Sequence, residues 1–306
     1  MKSKKTDIPT YDLSKFKHVH REKTNSDFGY SNLDISKHVE GFELYSSKGL
    51  TSSVGPLKSN FYRISITIQG TVDMKIGLDT YKHRPRTISL TYPNQIFAKS
   101  NISSDAFGYY ILFNGDFLNE IIPSIKIADE FPFYDISGTP LFRLGEEELD
   151  NIVRLIFRIN DELKRQDTGR IKAIQMYLYL ILLEAKRSYE KQQLHIKQYE
   201  NSTIVSRFRK LVSLHYLAKR QVSDYAALLA ISPNHLNRLV KAESAKTASE
   251  MIKEMLLSEA MALLKYTDHT IAEIAYKLEF SDPASFNRFF KAGAKETPLV
   301  YRKKHD

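Results

Sequence analysis

One pattern of side chains occurs twice in the last third of this chain, and it limits what that third can fold into. The first copy reads Val222-x-x-Tyr225-Ala226-x-x-Leu229, a short turn, then Ser232-Pro233-x-x-Leu236-Asn237-Arg238-x-x-Lys241, closing at Thr247. The second reads Ile271-x-x-Ile274-Ala275-x-x-Leu278, a turn, then Asp282-Pro283-x-x-Phe286-Asn287-Arg288-x-x-Lys291, closing at Thr297. The offset is 49 residues before the turn (222 to 271) and 50 after it (232 to 282), so the second turn is one residue longer. Each copy has the outline of a helix, a tight turn and a second helix with a polar, basic outer face, which is the outline of a helix-turn-helix.

Local chemistry supports that outline. Thr270 and Glu273 stand at capping-box spacing, where the threonine caps an orphan amide and the glutamate reaches back. Ile271, Ile274, Ala275 and Leu278 recur at helical period, giving one apolar face. Ser232-Pro233 and Asp282-Pro283 each place a capping side chain before a proline at the first helical position. After each cap, Leu236, Leu239 and Val240, or Phe286, Phe289 and Phe290, are expected to face inward. That leaves Asn234, His235, Asn237, Arg238 and Lys241 outside in the first copy, and Ala284, Ser285, Asn287, Arg288 and Lys291 outside in the second.

Arginine can pair with the O6 and N7 of guanine and asparagine with the N6 and N7 of adenine, while lysine suits phosphate. Asn234, Asn237 and Arg238 are therefore the candidates for specificity. The second copy, led by Pro283 and Ala284, is expected to read fewer bases and to rely more on phosphate, methyl contact and Arg288. The competing reading is a merely solvated helix face, which a single copy would not exclude. Between the copies, residues 248–266 carry Ile252, Met255, Leu256, Leu263 and Leu264 without proline or glycine. A helix there spans on the order of 25 Å at about 1.5 Å per residue. It can fix two recognition helices about one DNA turn, roughly 34 Å, apart; it can equally be an ordinary packing helix.

The strings TIAEIAYKLEFSDPASFNRFFKAGAKETPLVYR (270–302) and VSDYAALLAISPNHLNRLVKAESAKTASEMI (222–252) resemble the signature of AraC/XylS-type transcriptional regulators. The resemblance covers about residues 201–306. It implies a seven-helix DNA-binding domain with two helix-turn-helix units, usually joined to an effector or dimerisation domain. The positions matching the family's base-facing sites are Asn234, Asn237, Arg238, Ala284, Asn287 and Arg288. The chain departs from the pattern at Ala245, Glu279 and Lys295, where the family favours glycine, and at Leu256, often arginine. A left-handed backbone is cheap for glycine and costs other residues about 1 kcal/mol or more. Those turns are therefore expected either to be rerouted, with Gly293 taking part, or to weaken the domain.

At 306 residues, two domains are expected. Net charge is +9, and residues 201–306 hold 17 Lys and Arg against 11 Asp and Glu, so +6 of the +9 lies in the repeat-bearing third. That asymmetry favours a polyanion partner there and a separate sensor before it. No cysteine is present, which excludes disulfides, thiolate catalysis and Cys-ligated zinc. No apolar signal core follows the basic start, and the most apolar stretch, residues 177–183, is far short of a membrane span of about 20 residues. A soluble, cytoplasmic protein is the expectation.

From about residue 40 the period changes to two. Tyr62, Ile64, Ile66 and Ile68 alternate with polar residues, as do Val72, Met74, Ile76 and Leu78, and residues 87–92 and 108–113 are further strand candidates. Short strands with turns between them suggest a small sandwich or barrel, and their order resembles the cupin-like barrel that often precedes this type of DNA-binding domain. The expected class is therefore α+β: a cupin-like effector and dimerisation domain over 1–190 (barrel about 40–140, helices 146–166 and 170–190), a linker over 191–203, and the DNA-binding domain over 204–306.

Within the barrel, Tyr62, Ile64, Ile66, Met74, Ile76 and Tyr92 are the expected lining of an effector pocket, with Arg63 or Lys75 at its rim; the alternative is that they fill the core. His18, His20, His38 and His83 do not form the ligand cluster that a metal-dependent barrel needs, and Leu57, Ser59 and Phe97 stand where relatives often have histidine. No catalytic residue, metal or cofactor is expected. Ile174, Leu178, Ile181, Leu182 and Ala185 form a stripe on a helix apolar on more than one side, which suits either a homodimer or an intramolecular layer. The favoured reading is a sequence-specific regulator whose partners are promoter DNA, a small-molecule effector, RNA polymerase and a second copy. The alternatives are a small-molecule-binding or enzymatic cupin-like protein with a helical interaction domain, and a constitutive DNA binder.

Overall fold

A computed structural model describes residues 10–11, 13, 16, 28–30, 38–48, 50–51, 53–119, 121–122, 127–134, 139–165, 167–196 and 204–304. His18, His20 and residues 197–203 of the expected linker lie outside the described residues. The strands are β1 (Thr10–Tyr11), β2 (Phe42–Ser46), β3 (Val54–Ser59), β4 (Tyr62–Gln69), β5 (Val72–Ile76), β6 (Asp79–His83), β7 (Thr87–Thr91), β8 (Phe97–Ser100), β9 (Phe107–Phe113) and β10 (Leu141–Arg143). Among the described residues they form two five-stranded sheets, ordered β1-β3-β8-β5-β6 and β10-β7-β4-β9-β2. All pairings are antiparallel except β1 with β3.

The register of the second sheet decides what the barrel contains. Tyr62 lies opposite Phe113, Ile64 opposite Ile111 and Leu90, and Ile66 opposite Tyr109 and Ile88. The alternate residues form the other face: Arg63 opposite Leu112 and Thr91, Ser65 opposite Tyr110 and Ser89, and Thr67 opposite Gly108 and Thr87. The apolar face looks outward onto helices. Tyr109 meets Phe157 of the helix α2 (Glu146–Lys164) at 5.9 Å between ring centroids, and Tyr62 meets Tyr134 at 4.8 Å. The polar face looks inward, toward the first sheet. This reverses the expected parity. Tyr62, Ile64 and Ile66 belong to the helix-covered face, and Arg63, expected at a rim, is 2% exposed inside.

A short helix, α1 (Ile127–Glu130), precedes α2 and α3 (Arg170–Ile196). The stripe Ile174, Leu178, Ile181, Leu182 and Ala185 of α3 is fully buried within the single chain. It packs with Ile152, Ile156, Ile159 and Leu163 of α2 in the same core as the sheet. The dimer face expected from that stripe is therefore corrected: the second neighbour of α3 is the chain itself. Helix α3 also continues through residues 191–196, expected to be linker. No helix among the described residues is long and apolar enough to cross a membrane.

Among the described residues seven helices follow: α4 (Ile204–His215), α5 (Val222–Leu228), α6 (Pro233–Ser244), α7 (Ala248–Tyr266), α8 (Ile271–Lys277), α9 (Pro283–Ala294) and α10 (Pro298–Lys303). Helix α7 is their axis. It buries residues along its whole length, from Ala248, Met251 and Ile252 to Leu263 and Leu264, within one core that includes Tyr225, Leu236, Phe286 and Phe290. Its remaining side faces the barrel. Lys58 of β3 reaches the carboxylate of Glu259 at 3.2 Å, Tyr216 donates to the same carboxylate at 2.6 Å, and Gly55 N–H donates to Tyr266 Oη at 2.9 Å. Lys75 of β5 pairs with Glu254 at 2.8 Å, and Asp79 of β6 with Arg209 of α4 at 2.8 Å. Glu259 is 1% exposed. A buried carboxylate needs paired partners to stay charged, since an unpaired one costs several kcal/mol. Lys58 and Tyr216 therefore couple the barrel to α7 at a point where breakage is expensive.

Candidate nucleic-acid interface

Each unit is built from the same three devices. The first is a helix entry. Thr270 accepts from Glu273 N–H at 3.1 Å, and the Glu273 carboxylate accepts from Thr270 N–H at 2.7 Å; Gln221 and Asp224 make the corresponding box at α5. The second is the turn between helices. Ile231 N–H donates to Ala226 O at 3.0 Å, and Phe280 N–H to Ala275 O at 2.9 Å, five residues back in both cases. That bond closes a helix only when the intervening residue is left-handed. Ala230 (φ 55°) and Glu279 (φ 55°) take that role. The third is the entry to the recognition helix. His235 N–H donates to Ser232 Oγ at 3.2 Å, and Ser285 N–H to Asp282 Oδ1 at 2.7 Å. Hydrogen bonds from the Ser285 hydroxyl and amide hold the Asp282 carboxyl down at about 2.

Both recognition helices then exit through left-handed residues, Ala245 (φ 57°) and Lys295 (φ 65°). The missing glycines have thus not rerouted the backbone. Gly293 stays inside α9 and serves packing: a Cβ there would lie 2.6 Å from Leu257 of α7.

The outward residues separate into three groups. Asn234, Arg238 and Lys241 on α6, and Ala284, Asn287, Arg288 and Lys291 on α9, are exposed. His235 is half-buried, and its Nδ1 lies 2.9 Å from an Arg238 guanidinium nitrogen. Arg288 likewise donates to Ser285 Oγ at 2.9 Å. Both arginines are thereby steadied by a side chain three residues earlier on their own helix. Asn237 differs from its counterpart. It is half-buried, and its Oδ1 accepts from Ala248 N–H at 2.9 Å, capping the start of α7. Asn287 only donates to Pro283 O within its own helix. The amide paired with adenine needs its oxygen to accept from N6–H, and in Asn237 that oxygen is engaged by the α7 amide.

One element escaped the sequence reading. Arg220, just before α5, donates to the Leu278 carbonyl at the end of α8 and lies 4.9 Å from the Phe280 ring centroid. It ties the first unit to the second independently of α7. Nothing in its local spacing marks it.

The barrel holds a cavity of about 260 Å³ between the two sheets, bordered by Ser65, Thr67 and Tyr110 on one and Met74, His83 and Lys99 on the other. Of the expected pocket residues, Met74 and Ile66 border it. Tyr62, Ile76 and Tyr92 instead line clefts nearer α4, and Ile64 borders neither the cavity nor those clefts. Lys99 was missed, because residues 97–100 are too short a run to reveal a strand, and His83, weighed only as a metal ligand, borders the cavity from β6. Lys75, expected at a rim, faces α7.

Comparisons with known proteins agree with this layout. Residues 41–179 match the family model of the AraC-like ligand binding domain, and residues 225–304 that of a helix-turn-helix domain. Two cupin-like sheets gripping a helical domain with two helix-turn-helix units define a DNA-binding regulator with a ligand-binding domain. The chain belongs to the AraC-type transcriptional regulators. It is 25% identical over 254 residues to the HTH-type transcriptional regulator YfiF of Bacillus subtilis, covering 80% of this chain and 77% of the relative. It is 35% identical over 79 residues to the HTH-type transcriptional regulator GlxA of Rhizobium meliloti, covering 26% and 24%. ToxT from Vibrio cholerae is a solved structure of 15% identity and TM-score 0.40, matched over 86% of this chain and 98% of that one.

Proposed function

We propose that α6 and α9 read two successive major-groove segments of one DNA site, with Arg238 and Arg288 as the base-reading cations and Lys241 and Lys291 as phosphate contacts. The observation that carries this is the matched presentation of Arg238 and Lys241, and of Arg288 and Lys291, at the same places on two identically entered and exited helices joined by α7. Asn234 and Asn287 supplement them, whereas Asn237 serves mainly as a cap. The chain acts by binding rather than catalysis. A ligand in the barrel acts through β3 and β5, which hold α7, and so alters how the two reading helices are carried. A homodimer, part of the same proposal, uses the exposed Met176 and Leu180 of α3, since the inward stripe of that helix is spent within the chain.

The test is selection and sequencing of DNA fragments bound by the purified full chain, beside an Arg238→Ala, Arg288→Ala double variant. A bipartite motif with half-sites about one helical turn apart, lost in the variant, is the expected result. Binding without a motif, or a motif indifferent to both arginines, overturns the reading.

A further inference from the structure

The inner face of the β4 sheet is unusual for a small barrel. It carries Arg63, Ser65, Thr67, Thr87, Ser89 and Thr91, all buried. Across the cavity stand His83 and Lys99. Apolar side chains would fill such an interior at no electrostatic cost. Here three basic side chains face it from β4, β6 and β8.

Their partners are few. Both terminal guanidinium nitrogens of Arg63 are buried without a hydrogen-bond partner. Its guanidinium carbon lies 3.6 Å from the Phe97 ring centroid and 5.0 Å from that of Phe16, so ring faces rather than a carboxylate meet its charge. Lys99 approaches the ring of Tyr110 at 5.6 Å. His83 Nδ1 is 3.1 Å from Thr67 Oγ1, while its Nε2 and the hydroxyl of Ser65 are buried without a partner. Glu43 lies on the same face of the sheet beyond Leu112, where its carboxylate accepts from Tyr45 at 3.0 Å. Burial, aided by the neighbouring Arg63, pulls the Lys99 ammonium down to about 7, and burial with Lys99 pulls the His83 imidazole down to about 3. Arg63 itself is drawn down to about 9 by burial. Buried charges are ordinarily paired, and buried polar groups ordinarily bonded. A cavity with unanswered donors on both of its facing walls is built for something that supplies the missing acceptors.

We propose that the effector of this regulator is a small organic anion, whose carboxylate or phosphate oxygens accept from Lys99, His83 Nε2 and Ser65, with Arg63 behind them as the compensating charge. The proposal rests on the reading of the barrel as the ligand-binding domain. At about 260 Å³ the cavity lies just below the 300–1,000 Å³ usual for drug-sized ligands, so the anion is a compact one. The cavity is otherwise bordered by Val72, Met74 and Phe107 and by the polar residues Ser47 and Thr51. A neutral ligand would leave the cation wall unanswered.

The experiment uses the full chain in titration calorimetry and thermal melting. The carboxylate arm is acetate, butyrate, hexanoate and gluconate; the phosphate arm is inorganic phosphate and glycerol phosphate; glycerol and glucose are neutral controls. The wild type is compared with Lys99→Met, which keeps the stem and removes an unpaired cation, and so is expected to fold at least as stably. The expected result is saturable one-to-one binding within one anion arm, weakened about tenfold or more in Lys99→Met, as for loss of a charged hydrogen bond. The arm that binds identifies the oxyanion. Absence of saturable binding by every anion, or anion binding equal in the variant, overturns the proposal. Saturable binding of a neutral control alone also overturns the anion while leaving the ligand-binding domain standing. DNA binding is measured on the same preparations: its retention without anion binding sinks only this inference, and its loss of sequence preference sinks the functional reading instead.

Discussion

The two helix-turn-helix units share a backbone and differ in what their recognition helices are tied to. Helix α6 lends Asn237 to the start of α7, and its Glu243 approaches Arg209 of α4 at 3.6 Å. On α9, Asn287, Arg288 and Lys291 stay exposed, and the hydrogen bonds of the first two, to Pro283 O and Ser285 Oγ, remain within their own helix. The unit richer in hydrogen-bonding side chains thus has some of them committed to holding the domain together, while the unit led by proline and alanine leaves Asn287, Arg288 and Lys291 exposed on its outer face. An outward position on a helix is a statement about direction, and a neighbouring helix N-terminus competes with DNA for any acceptor pointing that way.

Four pairs of substitutions sharpen or break this comparison. Arg238→Ala and Arg288→Ala should each cost about 1–3 kcal/mol of specific affinity and relax preference at a separate base position, measured by titration against single-base operator variants. If one of them changes neither affinity nor preference, that unit is not a reader. Asn237→Ala should lower thermal stability by about 1 kcal/mol, the usual size of a lost helix cap, whereas Asn287→Ala should leave the melting curve in place and weaken DNA binding. Equal effects on stability would erase the distinction between the units. Glycine at Ala245 or Lys295 should stabilise the chain by roughly 0.5–1 kcal/mol, because each holds a left-handed backbone that glycine adopts freely; unfolding in denaturant reads the gain directly. Lys241→Ala and Lys291→Ala should weaken binding to all sequences alike and flatten the salt dependence by about one phosphate's worth. A change in base preference instead would reassign those lysines.

Barrel stability gives a pH test of another kind. Lys99 titrates near 7 in the folded chain and near the ordinary 10.5 when unfolded. Between those values the unfolded state binds the extra proton, so this group makes stability rise with pH. The basic groups around it, Arg63 and His83, are respectively still charged and already neutral at about pH 8 on the values burial gives them. Melting temperature should therefore climb from about pH 7 to about pH 9 in the wild type and less steeply in Lys99→Met.

The helical third was legible because its signals are local. Thr270 with Glu273, Asp282 with Pro283 and the period of Ile271, Ile274 and Leu278 each act within two turns of chain, and the helices begin and bond as that chemistry requires. The barrel was legible as strands but not as an inside and an outside. Alternation at Tyr62, Ile64 and Ile66 reveals that β4 has an apolar face; whether helices or a second sheet cover it depends on residues over 80 positions later. The same limit applies to Ile174, Leu178 and Ile181, whose burial was readable while the choice between an intramolecular partner such as α2 and a second copy was not. Asn237 and Arg220 were missed or misassigned because their partners, Ala248 N–H and the Leu278 carbonyl, are backbone atoms with no side-chain signature.

The barrel grips α7 through Lys58, Lys75 and Gly55, and α4 through Asp79 on Arg209, and none of these contacts falls on an outward residue proposed to read DNA on α6 or α9. It holds the ruler, not the pointers. A signal delivered through such a grip leaves the alphabet of each unit unchanged and alters the distance and angle at which the two are presented. Regulation in this chain should accordingly appear as a changed tolerance for the spacing between half-sites, with the preferred bases within each half-site left as they were.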